Sequence, residues 1–155
     1  MSFIRRLESR FYGRVRHPDS AEVREAGAEE WSPARLHGHK YCLLTSFRAS
    51  GAPVSVPVWF GTEGQNIYIR SGPEDGKVKR IRRNGQVLIT PCTARGRPLG
   101  PPMPGAARVL EPHEEARAEA VLRSSYGLGR KVYRFLGRAT RAAYLEVSGT
   151  SGPQA

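Results

Sequence analysis

Asn66-Ile67-Tyr68-Ile69-Arg70-Ser71-Gly72-Pro73-Glu74-Asp75-Gly76-Lys77-Val78-Lys79-Arg80-Ile81-Arg82-Arg83-Asn84 changes period in its middle. The first six residues are rich in β-branched and aromatic side chains and read as a strand. Gly72 to Gly76 is a Gly/Pro turn. The rest reads as a short helix, with Val78 and Ile81 three apart so that one face packs on a sheet. Asp75 is the candidate N-cap, and Gly76 loosens the first turn. A helix N-terminus exposes unpaired N–H groups and the positive end of the dipole. Lys77, Lys79 and Arg80 add charge there, which makes an anion cradle suited to a phosphate or a polycarboxylate.

Outward from this stretch the chain reads as short strands joined by hairpins. Upstream, Lys40 to Phe47 is a strand, Ala49-Ser50-Gly51 a turn, and Pro53 to Phe60 a second strand. Pro57 cannot donate to a ladder, so an edge or a bulge is expected there, with room for a ligand. Gly61-Thr62-Glu63-Gly64 reads as a hairpin turn. Downstream, Gln86 to Cys92 is a strand, Ala94 to Arg97 a hairpin tip, and a long strand ends at Leu110. Two helices are expected over 112–125 and 128–139, and a last strand over 142–148. Five or six antiparallel strands with peripheral helices predict a mainly β domain, a small barrel closed to hide its edges.

The ends differ from the middle. Residues 2–15 set Phe3, Ile4, Leu7, Phe11 and Val15 on one face of a basic amphipathic helix. Such a helix packs on its own domain or a partner, or lies on a membrane surface. Residues 19–31 predict a second helix that Trp31 anchors before Ser32-Pro33. The expected division is an N-terminal helical extension over 1–37, a barrel over 38–149 and a disordered tail over 150–155.

Composition limits the function classes. The chain has 155 residues, enough for one domain with a real core. Its net charge of +11 favours anionic partners. Nucleic acid is among them, but aromatic residues interleaved with the basic ones are sparse, unlike a single-strand binder. Cys42 and Cys92 lie in apolar strands and read as reduced thiols of a cytoplasmic protein. No apolar run reaches the length of a membrane span, and no secretory signal is expected. His37, His39 and Cys42 are three residues where structural zinc needs four ligands, so no metal is expected. No serine sits in a nucleophile elbow, and no carboxylate pair suggests general acid–base work. A catalytic role would therefore draw its chemistry from a cofactor.

The stretches Leu43–Arg48, Gly51–Phe60, Ile67–Ser71, Gly76–Asn84 and Val87–Arg97, in that order, resemble the pyridoxamine 5'-phosphate oxidase-like split-barrel oxidoreductases. The resemblance covers about residues 38–148 and is nearest to the actinobacterial branch that uses the deazaflavin coenzyme F420. It implies a split β-barrel, a homodimer with cofactor sites at the dimer interface, and a small-molecule substrate. It also implies that Ser55, Val56, Pro57 and Val58 line the deazaflavin ring. Arg70 and Ser71 would meet the linker or phosphate, and Lys77 with Arg80 would hold the phosphate. The pyridoxamine phosphate oxidases place an arginine and a lysine where this chain has Val56 and Gly61. That departure argues against the same FMN grip, and FMN remains the alternative cofactor.

Overall fold

The computed structural model describes residues 27–125 and 141–150. Among the described residues seven strands carry the fold: β1 (Tyr41–Phe47), β2 (Pro53–Trp59), β3 (Gly61–Glu63), β4 (Asn66–Ser71), β5 (Gln86–Cys92), β6 (Met103–Val109) and β7 (Ala143–Gly149). Helix α1 (Gly76–Arg83) joins β4 to β5. A 3-10 turn (Pro112–Glu114) leads from β6 into helix α2 (Glu115–Ser125). The strands form one antiparallel sheet in the order β2-β1-β5-β6-β7-β4-β3. It curls until β2 and β4 approach, which is the mainly β split barrel that the sequence predicts.

Alternation along the strands fills the inside. Leu44, Ile67, Ile69, Ile89, Leu145 and Val147 are fully buried in one cluster. Val78 and Ile81 of α1 join them, so the three-residue spacing closes one part of the barrel as expected. On the outer face α2 sets Ala118, Val121 and Leu122 over Tyr68 and Tyr144. Each buried aliphatic side chain contributes about 1.5–3 kcal/mol.

Three local expectations change. Gly61–Glu63 is a strand rather than a turn; it pairs with Asn66–Tyr68, and the reversal falls at Gly64, where φ is +60°. Residues 27–31, the described end of the helix expected over 19–31, are not helical. Trp31 anchors the chain differently: its indole lies against Gly105 and Gly149, a directly opposed pair on β6 and β7. A Cβ at Gly149 would stand 2.8 Å from the ring, so this seat needs glycine. The indole N–H donates to the Gln65 carbonyl at 2.9 Å. Leu36, in a 3-10 turn over Pro33–Leu36, is buried in the interior cluster, so residues 31–36 pack as part of the barrel. The helices expected over 2–15 and 128–139, and all of the tail but Thr150, lie outside the described residues.

Candidate functional site

The split is where two backbone edges face each other without pairing. β3 pairs with β4 as far as Gly61 opposite Tyr68. Continued, that register would set Trp59 against Arg70 and Val58 against Ser71. The pairing stops instead, and β2 belongs to β1. Pro57 explains part of this. Arg48 N–H donates to the Ala52 carbonyl at 2.9 Å, and Val54, Val56 and Val58 follow in the alternation that faces β1. Pro53 and Pro57 then turn their nitrogen to the free side, where no ladder bond is lost. The expected edge at Pro57 is therefore the outer edge of the whole sheet.

Strand alternation divides the predicted residues between the two faces of the sheet. Val58 is buried in the interior, and Val56 packs against the same cluster. Ser55 and Pro57 face outward, and the Ser55 hydroxyl shares a 2.7 Å hydrogen bond with that of Thr45. Arg70 stands opposite Tyr144 on the outer face of β4, whereas Ser71 has the inward parity of Ile67 and Ile69. What Ser55 to Val58 share is the strand edge; their side chains do not form one surface.

At the end of β4 lie the residues expected to form the cradle. Asp75 stands at the N-cap position, but its side chain does not cap the helix. Its Oδ2 turns back to accept from Ser71 Oγ at 2.9 Å, the Gly72 N–H at 3.0 Å and Lys77 Nζ at 3.0 Å. Burial pushes the Asp75 carboxyl up, but Lys77, Ser71 and the Gly72 N–H outweigh it, and it lies below the ordinary carboxylate range. Arg80, one turn on, donates through Nε to Ser46 Oγ at 2.7 Å. Its guanidinium lies over the first helical turn, where a Cβ on Gly76 would stand 2.8 Å from Nη1. Arg83 Nη2 donates to the Phe47 carbonyl at 3.0 Å, and Lys79 stays exposed. Ser71, Lys77 and Arg80 are thus gathered at the helix start, and Arg70 is not among them.

Sequence reasoning missed Ser46 and the backward turn of Asp75. Ser46 lies 34 residues before Arg80, so no local spacing announces the pair. Tyr68 is buried under α2, and its hydroxyl donates to Glu146 at 3.0 Å. Burial, then the Glu146 carboxylate, raises its pKa. Cys92 is pushed up to about 12 by burial, and Cys42 well above its ordinary value, so neither thiol is a ready nucleophile. Among the described residues no three His, Cys, Asp or Glu are grouped to hold a metal ion, and no helix is long and apolar enough to cross a membrane.

Solved structures share this architecture. The haem storage protein HutZ of Vibrio cholerae superposes with a TM-score of 0.60 at 13% identity, covering 80% of this chain and 93% of that one. A FAD-binding protein of Mesorhizobium loti gives 0.54 at 14% identity, covering 75% and 83%. A reductase dependent on reduced F420 gives 0.52 at 17% identity, covering 70% and 94%. At such identities the likeness is one of fold. No match was found among the curated proteins. The family model described as pyridoxamine 5'-phosphate oxidase matches residues 28–143, a span running from just before Trp31 to the first residue of β7. With both the sheet order and that sequence match in agreement, the chain belongs to the pyridoxamine 5'-phosphate oxidase family.

Proposed function

We propose that the protein is an F420-dependent oxidoreductase that moves a hydride between the reduced deazaflavin and a small organic acceptor. The observation that carries this reading is the donor set on Asp75 Oδ2. Ser71 Oγ, the Gly72 N–H and Lys77 Nζ converge on one anionic oxygen. Such a set fits a phosphodiester oxygen equally well, and Arg80 over Gly76 adds a planar cation at the same helix start. The residues present therefore fit the charged tail of the cofactor.

When bound, the deazaflavin supplies two-electron hydride chemistry. The chain's own part is binding and orientation. Ser71, Lys77 and Arg80 hold the phosphate. The edge of β2 from Ser55 to Val58 offers a wall for the ring. On this edge the carbonyls of Ser55 and Pro57 point to the free side, so a ring N–H has acceptors there. Alignment of ring and acceptor, with water excluded, is the main catalytic contribution asked of such a site.

The proposed working unit is a homodimer with each site drawn from both chains. Its support is the family fold and the open split. The outer face of β1 and β5 adds none, because Leu43 and Leu88 there are already buried.

The test is titration of the purified protein with F420 and with FMN, followed by fluorescence. Tight F420 binding and weak FMN binding are expected. Tight FMN binding without F420 binding would overturn the deazaflavin assignment and leave the fold intact.

A further inference from the structure

We propose that Asp75 is a built-in competitor for the cradle: its carboxylate sits on the donors that the cofactor phosphate takes, and binding displaces it. The proposal rests on the cofactor reading above. A carboxylate at an N-cap ordinarily accepts from the second or third helical N–H. Asp75 gives up that role; only its backbone carbonyl serves α1, accepting from Val78 at 3.1 Å and Lys79 at 3.3 Å. The side chain instead takes all three converging donors on one oxygen.

A second, independent arrangement points the same way. The Arg80 guanidinium lies over Gly76, at the positive end of its own helix, held there by Ser46. A cation in that place is opposed by the dipole, and an anion sharing the site would offset that opposition. Lys77 is also brought in, with 14% of its side chain exposed. Without a ligand, Asp75 supplies the negative charge that Lys77 meets. With one, two anions would compete for the same donors, and the carboxylate must swing out toward solvent. Its side chain is 43% exposed, which leaves it a path.

Ligand binding is therefore an exchange of one charge-assisted contact for another, and affinity for a phosphate tail is set below what the cradle alone would give. Asp75 is a positioning residue for affinity with no part in hydride transfer. It also discriminates, since it weakens only ligands that reach the cradle.

The experiment compares the wild-type protein with Asp75→Asn and Asp75→Ala by fluorescence titration. The probes are F420, FMN and the tail-less deazaflavin that carries the ring and ribityl arm without phosphate. The expected result is about five- to fiftyfold tighter F420 binding by both variants, the scale of one charged hydrogen bond released. The tail-less ligand should bind all three proteins alike. The alanine variant guards against the asparagine amide taking over the carboxylate's contacts, and circular dichroism verifies that each variant is folded. Unchanged or weaker F420 binding by folded variants, with wild-type binding intact, would overturn this proposal alone and make Asp75 a support for Lys77. Absence of F420 and FMN binding by every protein would sink the cofactor reading and this proposal together.

Discussion

Lys77 keeps its ammonium 3.0 Å from Asp75 at the first turn of α1. A phosphate held there by a charged hydrogen bond gains about 1.5–3 kcal/mol, or about ten- to a hundredfold in affinity. Lys77→Ala should therefore weaken F420 by that factor and leave the tail-less deazaflavin nearly unchanged, as read by fluorescence titration. Equal losses for both ligands would make Lys77 a structural residue. Asp75 also has a signature without any ligand. Its folded-state pKa lies below the ordinary 3.8, so its carboxylate stabilises the fold at pH values above 3.8. That contribution disappears as pH falls through the lower folded value. Urea unfolding of the wild type should lose more stability between about pH 5 and pH 3 than that of Asp75→Asn. Parallel losses would mean that the contacts of Asp75 with Ser71, Gly72 and Lys77 add nothing in solution.

At the scale of elements, helix α2 is held to the sheet by two kinds of contact of unequal weight. Leu122 is fully buried among Tyr68, Tyr144 and Leu110. Arg117 forms an exposed ion pair with Glu63 of β3. Truncating a buried leucine costs about 2–5 kcal/mol, whereas an exposed pair is worth about 0–1 kcal/mol. Leu122→Ala should thus lower the denaturation midpoint sharply and Arg117→Ala barely; the reverse order in chemical denaturation would contradict this packing.

The same contrast explains what was legible in the sequence. Strands such as Gln86–Cys92 and the helix Gly76–Arg83 announce themselves by period and by flanking breakers. Val78 and Ile81 faced the core as their spacing required. β3 was hidden because three residues beginning with glycine carry no period. Trp31 was recognised as an anchor, but its seat on Gly105 and Gly149 depends on a pairing between strands 44 residues apart in sequence, which no local pattern encodes. Lys77 stands out in the sequence because charge at a helix start is a local signal. The Ser46–Arg80 bond is set by tertiary packing and leaves no local signal. The backward turn of Asp75 is made with neighbours within four residues, but an Asp just before a helix reads first as a cap.

For the whole molecule, the proposed dimer has a consequence that binding data alone would miss. A ligand bound across an interface stabilises that interface by mass action. Sedimentation at micromolar concentration should therefore show a dimer, and F420 should move its dissociation to lower protein concentration. A monomer that binds F420 stoichiometrically, with affinity unchanged on dilution, would place the complete site within one chain.

The prolines of β2 bear on a different matter, the fate of the protein when crowded or refolding. A free strand edge recruits strands from other chains, and lack of N–H donors blunts that recruitment. At Pro53 and Pro57 the outer edge has none to offer, and the opposite edge, β3, is three residues long. The fold can thus keep its split open without advertising it to another polypeptide. Pro57→Thr would restore a donor on that edge while leaving the β1 ladder intact. It should lower the soluble yield on refolding from denaturant as protein concentration rises, seen as light scattering; a yield equal to wild type would mean that the edge is guarded by something other than its prolines.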